Sequence, residues 1–221
     1  MDRKARARIV LERLRPRYPG AASALAWTNP YQLLVATVLA AQCTDARVNL
    51  VTPDFFRRWP DPAALAAADV AEVEAVVHST GFFRNKAKNL VAAARLMVER
   101  HGGSVPRTLA ELTALPGLAR KTANIVAGNA YGNHEGIAVD THVKRLSFRL
   151  DLTDSANPVV IERDLMPLFP REAWSEINHL LVLFGRDVCQ ARKPRCEGCP
   201  LADVCPRKGL AATVGNNTSQ H

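Results

Sequence analysis

Four cysteines close together near residue 200 restrict the possible folds more than any other feature of this sequence. Cys189, Cys196, Cys199 and Cys205 are separated by gaps of six, two and five residues. Two disulfides are not expected within so short a stretch in a reducing compartment, so the four thiolates are interpreted as ligands of a metal or cluster. A Cys-x-x-Cys pair suits zinc and iron–sulfur sites equally, and the spacing leaves both open. The fifth cysteine, Cys43, stands apart in an apolar run and is typical of a small buried thiol.

The charge balance indicates a partner that carries phosphates. The 221 residues include 29 Lys and Arg against 21 Asp and Glu, a formal charge of +8, although acidic substrates or membrane surfaces also fit that sign. Basic residues gather in residues 1–22, 84–121 and 186–208, where the alternative is an ordinary exposed helix surface. The N-terminal residues that we expect to bind phosphates are Arg3, Lys4, Arg6 and Arg8.

The hydrophobic pattern predicts a soluble all-α protein. Hydrophobic residues make up 48% of the chain, which excludes disorder and collagen, and they recur mostly at intervals of three and four. The longest apolar run, residues 33–41, is far shorter than the ~20 residues of a membrane-spanning helix. Charges interrupt the N-terminus before any secretory segment, so we expect the protein to stay inside the cell.

Local signals predict where several helices begin and end. Asp69 and Thr108 each precede a glutamate three residues later, as in a capping box, while Asp61 and Asn157 precede first-turn prolines. Pro53 is expected to kink or split the helix over residues 44–58, with Thr52 as a possible new cap.

Other segments have weaker signals. Gly102-Gly103 should end the helix that starts near residue 84. Residues 136–143 are ambiguous, because Ile137 and Val139 could form a brief extended piece before a helix capped by Asp140. Residues 210–221 lack any apolar period and are predicted to be a disordered tail.

Residues 115–123 read Leu-Pro-Gly-Leu-Ala-Arg-Lys-Thr-Ala and predict two helices joined by a tight hairpin. The first helix should end at Pro116, the chain should turn at Gly117, and the second helix should begin near Arg120. Amide groups at the start of that second helix have no helical partner and suit a phosphate oxygen, independently of base sequence. An ordinary turn between two helices has the same pattern.

Three motifs in this order resemble the helix-hairpin-helix DNA glycosylase superfamily, and within it the endonuclease III family. They are residues 115–123, residues 139–142 (Val-Asp-Thr-His) and the four cysteines, and residues 41–45 (Ala-Gln-Cys-Thr-Asp) and 81–83 (Gly-Phe-Phe) also match. The likeness covers about residues 5–208. Ala119 replaces the family's usual second hairpin glycine, and Phe82 replaces a common leucine. Because alanine does not readily adopt positive φ, this departure predicts a hairpin that is slightly reshaped or that binds a phosphate differently.

The resemblance implies an all-α, two-lobed fold with the DNA site between the lobes. A six-helix barrel would span residues 23–134, with the helix-hairpin-helix near 109–130. The second lobe would combine residues 1–22 with 135–209 and include the cluster loop, residues 189–205.

The resemblance also implies a cofactor and a set of DNA contacts. Cys189, Cys196, Cys199 and Cys205 would hold a [4Fe-4S] cluster, which replaces an apolar centre in a lobe too small to build one. The cluster would also fix nearby basic residues against the DNA backbone. The implied DNA-binding residues are Gln42, Phe82, Gly117, Ala119, Arg120, Arg186, Arg192, Lys193 and Arg195.

Chemistry on a base inside a duplex requires the nucleotide to leave the stack, and the vacated space must then be filled. Gln42 and Phe82 match the family positions that enter this space. Their alternative interpretation is an ordinary surface glutamine and a core phenylalanine.

Lys121 and Asp140 match the catalytic positions of the family. A lysine amine attacks a sugar carbon only when it is neutral, and the positive helix end, Arg120 and desolvation by bound DNA would favour the neutral form. Asp140, which is also a plain helix cap on its own, would oppose positive charge on the sugar and help orient or deprotonate the amine. We expect His142 to support Asp140, and Asp45 to hold the Gln42 loop or cap a helix.

The implied function is a bifunctional DNA glycosylase and abasic-site (AP) lyase that removes oxidised pyrimidines from duplex DNA in base excision repair. We expect a monomer that acts in the bacterial cytoplasm, associated with the nucleoid. A pyrimidine-dimer glycosylase has the same Lys, Asp and Cys pattern. A monofunctional mispaired-adenine glycosylase is opposed by Lys121 and by the chain length, and a cluster-bearing DNA-binding protein without catalysis is favoured only if Ala119 disables the hairpin.

Overall fold

In the described part of the chain, residues 1–210 of a computed structural model, all regular secondary structure is helical. This confirms the predicted all-α class. The predicted tail lies outside the described residues except for Leu210. Two 3₁₀ turns, His78–Thr80 and Arg171–Ala173, accompany the eleven α-helices of the described chain. The helices are α1 (Arg3–Leu14), α2 (Pro30–Leu39), α3 (Asp45–Arg58), α4 (Pro62–Ala66), α5 (Val70–Val77), α6 (Phe83–His101), α7 (Leu109–Ala114), α8 (Arg120–Tyr131), α9 (Thr141–Arg149), α10 (Pro158–Leu165) and α11 (Trp174–Asp187).

The predicted caps account for several of these boundaries. Thr108 and Glu111 form the reciprocal capping box of α7. Asp61 and Asn157 accept hydrogen bonds from first-turn amides of α4 and α10. Asp69 caps α5 through a hydrogen bond from the amide of Ala71 instead of the predicted box.

Two local predictions need correction or refinement. Helix α3 is continuous through Pro53, and Thr52 lies buried inside it instead of capping a new helix. Val48 and Phe55 are fully buried on either side of the proline, and this packing outweighs the hydrogen bond that proline cannot donate. Residues 137–139 form a loop, not a strand.

The buried apolar side chains form two separate clusters. The first, called here the first core, runs from Leu25 to Ala127 and is built from α2 to α8. The second core combines α1 with residues from Ile137 to Leu201. Within residues 1–210, no helix is both long and apolar enough to cross a membrane.

Several arginines of α1 and of the residues just after it pair with distant residues of the protein. Of the four residues expected to bind phosphates, Arg3 and Arg6 are held in this way, whereas Lys4 and Arg8 are exposed and their phosphate contacts stay a prediction. Arg6 is 7% exposed and donates hydrogen bonds to the carbonyls of Asp151 and Val204. Arg6 also pairs with the carboxylate of Asp151 at 3.2 Å, which compensates its charge and joins α1 to the residues that follow α9. The other ion pairs are Arg3 with Asp151 and Asp154, Arg8 with Glu12, Arg13 with Asp203, Arg15 with Glu176, and Arg17 with Asp187.

Candidate active site

Lys121 and Asp140 line one pocket, together with residues of the first core and residues of α11. The loop before α2 and the junction of α2 with α3 form one wall, and α11 forms another. The structure therefore brings together the two residues that the sequence singled out for chemistry. The other polar or charged lining residues are Ser23, Thr37, Cys43, Asp45, Asn178, His179 and Arg186.

The hairpin places Lys121 in the first turn of α8. Helix α7 ends at Ala114, two residues before the predicted end at Pro116. Gly117 has φ +78°, and a Cβ on it would lie 2.7 Å from the Asn89 Cβ, so the position requires glycine. Ala119 has φ −69° and ψ 158° as the residue before α8. The positive φ of this turn falls at Gly117, so Ala119 does not carry the backbone strain on which the expectation of a reshaped hairpin was based.

Asp140 caps α9 with one carboxylate oxygen. Its Oδ1 accepts hydrogen bonds from the amides of His142 and Val143, both at 2.8 Å. Its Oδ2 accepts none from the residues that the structure describes, and the side chain lines the pocket. Capping and chemistry are therefore compatible roles for this carboxylate.

Arg120 is bound to Glu162, a partner that the sequence analysis missed. The guanidinium Nε lies 2.5 Å from Oε2 of Glu162, which is 4% exposed, and this hydrogen bond raises the pKa of Arg120. Asn124 donates to the other carboxylate oxygen at 2.9 Å. The negative charge of Glu162 compensates Arg120, so Arg120 contributes less to the positive field at Lys121 than expected.

Two histidines near Asp140 have pKa values below the usual range because they are buried. His142 Nδ1 lies 3.1 Å from Nη2 of Arg145, which donates to it, so the ring proton is on Nε2. His179 Nε2 donates to Oδ1 of Asn129 at 3.2 Å, and burial lowers its pKa although Asp140 opposes the shift. The sequence analysis missed His179 and its neighbour Asn178, although two polar residues within an apolar stretch of α11 were a usable signal.

Asp45 and Arg186 form an ion pair at this pocket. Arg186 Nη2 lies 3.8 Å from Oδ2 of Asp45, the first residue of α3. Arg192 and Lys193 are exposed on the cysteine segment, and Arg195 lies 3.9 Å from Asp187. Of the four basic residues predicted to contact DNA beside the cysteines, only Arg186 therefore lines the pocket with Lys121.

Gln42 and Phe82 occupy two exposed loops with an unusual backbone conformation. Gln42 has φ +53° and Phe82 has φ +48°. Phe82 is 64% exposed, whereas Phe83 packs against the first core. Of the two adjacent phenylalanines, Phe83 thus has the core position.

The four cysteines of the C-terminal segment are free thiols that line a single apolar pocket beside Phe184 and Leu201. Burial raises the pKa of Cys199 and Cys205, so their thiolates need a compensating cation. Four thiolates that line one pocket are a donor set that fits an iron–sulfur cluster.

Two arginines of α9 hold the start of the cysteine segment. Arg149 is 8% exposed and donates to Cys189 Sγ at 3.3 Å and to the carbonyls of Gln190 at 2.7 Å and Ala191 at 2.8 Å. Arg145 donates to the Cys189 carbonyl at 3.1 and 3.2 Å. The helix that begins at Asp140 therefore also supports a predicted cluster ligand.

Comparisons with known proteins agree on the family of relatives. Residues 35–171 match the model of HhH-GPD superfamily base excision DNA repair proteins, and residues 189–205 match the iron-sulfur binding domain of endonuclease III. The chain is 54% identical over 205 residues to endonuclease III of Synechocystis sp., covering 93% of this chain and 94% of the relative. It is 43% identical over 196 residues to endonuclease III of Bacillus subtilis, covering 88% and 89%.

A solved structure is similar over nearly the whole chain. It is described as a trapped endonuclease III–DNA covalent intermediate, an estranged-adenine complex, and it matches with a TM-score of 0.87 at 40% identity. The match covers 94% of this chain and 97% of that one.

Proposed function

The chain belongs to the HhH-GPD superfamily of base excision DNA repair proteins, and within it to the endonuclease III family, and on this premise we propose that Lys121 and Asp140 carry out its reaction. The protein is a bifunctional DNA glycosylase and AP lyase for oxidised pyrimidines in duplex DNA. The side chains of Lys121 and Asp140 line one pocket, and this is the main observation that supports assigning the reaction to them. The assignment is also supported by the covalent intermediate with DNA described for the similar structure.

Lys121 is the nucleophile in this proposal. Its neutral amine attacks C1′ of the damaged nucleotide, the N-glycosidic bond breaks, and the base leaves with the bonding electrons and takes up a proton. The sugar ring opens to an imine between Nζ and C1′. Loss of a C2′ proton then expels the 3′ phosphate and cuts the strand, and water hydrolyses the imine to release the amine.

Asp140 stabilises the sugar as positive charge develops and accepts a proton from the attacking amine. The unpaired amides of the first turn of α9 favour negative charge at the position of this side chain. The assignment is supported by the hydrogen bonds of the carboxylate, because Oδ1 alone accepts from the amides of α9. His142 positions this helix start through Arg145.

Gln42 and Phe82 would fill the space that the extruded nucleotide leaves, and their exposure supports this role. The amides of the hairpin at Gly117, Ala119 and Arg120 would hold a phosphate. Arg186, Arg192, Lys193 and Arg195 would bind the DNA backbone, with Arg186 closest to the reacting nucleotide because it lines the pocket.

Cys189, Cys196, Cys199 and Cys205 would hold the [4Fe-4S] cluster of the iron-sulfur domain. The bound cluster would cross-link the four cysteines of the loop over residues 189–205 and so stabilise the folded loop. Arg149 would orient Cys189 for this binding.

We further propose a division into residues 23–134 and residues 1–22 with 135–209, supported by the two separate cores. The protein would act as a monomer in the bacterial cytoplasm at the nucleoid, supported by its DNA substrate and bacterial relatives.

Borohydride trapping on a duplex with one abasic site tests the proposal. The wild type should form a covalent adduct and Lys121→Gln should form none. Arg163→Gln, which removes an equal charge from an exposed position of α10 outside the pocket, is the matched control and should trap normally. An equal adduct from Lys121→Gln would remove Lys121 from the mechanism. A panel of duplexes, each with one lesion, distinguishes oxidised pyrimidines from pyrimidine dimers and mispaired adenine.

A further inference from the structure

Lys86 of α6 is a buried lysine that binds backbone carbonyls instead of a carboxylate. Its side chain is largely covered, since the residue is 6% exposed. Its Nζ donates hydrogen bonds to the carbonyl oxygens of Leu39 and Thr80, both at 2.8 Å. Burial lowers the pKa of this amine. Within residues 1–210 it makes no ion pair, so its hydrogen bonds to the two carbonyls compensate its desolvation.

The two carbonyls belong to the segments that carry Gln42 and Phe82. Leu39 is the last residue of α2, three residues before Gln42. Thr80 is the last residue of the 3₁₀ turn, two residues before Phe82. The last carbonyls of a helix lack intrahelical partners and carry partial negative charge, so a cation is favoured there. One ammonium thus joins the ends of two elements that are distant in sequence.

The loops beyond these two carbonyls need support from elsewhere. Gln42 and Phe82 both have positive φ, which residues other than glycine rarely adopt and which persists only when the surroundings enforce it. Their own side chains are exposed and supply little packing. The backbone amide of Lys86 also donates to the Phe82 carbonyl at 3.1 Å. Lys86 therefore contacts the Phe82 segment twice and the Gln42 segment once.

We propose that Lys86 is a positioning residue that fixes the Gln42 and Phe82 loops relative to each other, so that both enter the duplex as one unit. The inference rests on the proposed function, because it assigns no DNA contact to Lys86 itself. The ammonium of Lys86 sets the distance between the Gln42 and Phe82 side chains. That distance matters only when these side chains have to fill a gap in a base stack. Single-stranded DNA with an abasic site presents no such gap.

The test compares Lys86→Met on duplex and single-stranded abasic DNA. Methionine keeps an unbranched apolar chain and removes both hydrogen bonds to the carbonyls. Strand cleavage of the duplex should fall about 10- to 100-fold, as expected for misplaced positioning groups, while borohydride trapping on the single strand should stay within about twofold. In parallel, the fluorescent base 2-aminopurine is placed opposite the abasic site. Its fluorescence should rise when wild type binds and unstacks it, and should stay quenched when Lys86→Met binds. Tyr31→Phe removes another buried side-chain hydrogen bond, from the tyrosine hydroxyl to the Trp59 carbonyl at 3.0 Å, at a position outside the pocket, and is the matched control.

The outcomes separate this inference from the proposed function. If the wild type traps no DNA, the proposed function fails. Suppose that the wild type traps normally. The positioning role is then wrong if Lys86→Met loses activity on the duplex and on the single strand in equal proportion, or if it loses activity on neither substrate. Should the methionine variant fold poorly in urea titrations, Lys86→Gln keeps a donor for one carbonyl and should show the same duplex selectivity to a smaller extent. Equal loss on both substrates by the glutamine variant would likewise overturn the inference.

Discussion

Arg186 in the last turn of α11 and Asp45 at the start of α3 form an ion pair across the pocket that Lys121 and Asp140 line. Their side chains are 58% and 28% exposed. Ion pairs of such exposure contribute about 0–1 kcal/mol to stability. The pair therefore affects the electrostatics of the pocket more than the stability of the fold.

Asp45→Asn should change DNA affinity with little effect on stability. Removing the carboxylate frees Arg186 for a phosphate, so affinity for an abasic duplex should rise a few-fold at low salt and less at high salt. Arg186→Gln should lower affinity instead. Fluorescence anisotropy at two salt concentrations measures both effects. Equal affinities of Asp45→Asn and wild type at low salt would contradict this role.

Asp140→Asn should separate capping from chemistry. The amide oxygen of asparagine still accepts from the two amides of α9, so the free energy of unfolding should change by less than about 1 kcal/mol. Base release should fall about 100-fold or more, because the charge opposing the cationic sugar is lost. Single-turnover base release and binding to an uncleavable abasic analogue measure the two effects. Parallel losses of binding and base release would reject the assignment.

The hairpin should tolerate glycine at Ala119 but not alanine at Gly117. Gly117→Ala combines a positive φ with a contact of 2.7 Å to Asn89, and backbone strain of this kind costs about 1–3 kcal/mol. Ala119→Gly should cost no more than about 1 kcal/mol, since only unfolded-state freedom changes. Urea unfolding ranks the two variants, and the opposite ranking would disprove this account of the turn.

Arg149→Met should weaken retention of the cluster. The variant loses the hydrogen bonds to Cys189 Sγ and to two neighbouring carbonyls, so the first ligand is no longer held in place. Iron and sulfide per purified chain should fall below the wild-type values. Arg163→Met, at an exposed position of α10, is the control and should retain both. Unchanged iron in Arg149→Met would show that the cysteines need no such support.

Acid should destabilise the fold through its buried histidines. Burial lowers the pKa of His179 and of His142 below their ordinary 6.5. The unfolded chain therefore binds more protons near and below that pH, and the free energy of unfolding falls as pH drops. His179→Gln, which keeps a donor for Asn129, should lose less stability than wild type between about pH 7.5 and about pH 5.5. Urea midpoints at both pH values measure this, and equal losses would contradict it.

The sequence predicted well those features that depend on neighbouring residues. The Thr108 box, the cap at Asp140 and the start of α8 at Arg120 all follow from a few adjacent side chains. Ala119 shows a limit of such reasoning. The sequence indicated a turn with one glycine, but which residue takes positive φ depends on where the preceding helix ends, and α7 ends earlier than predicted.

Contacts between distant residues were not predictable from local patterns. The ion pairs of α1 join residues up to 190 positions apart, as in Arg13 with Asp203, and the sequence shows only a basic stretch. Glu162, His179 and Lys86 acquire their roles from partners in other helices. A charged residue in an amphipathic helix gives no signal of being buried when its partner is a backbone carbonyl.

The second core is built from both ends of the chain, with α1 packed among residues that follow Ile137. During synthesis α1 leaves the ribosome first, but the residues that it packs against follow only after Ile137. By then all residues of the first core have been synthesised. A chain released before residue 174 would contain the hairpin and Lys121 but would lack α11, which forms the opposite wall of the pocket. Such an incomplete translation product would carry the nucleophile without Asn178, His179 and Arg186, which line the pocket in the finished protein.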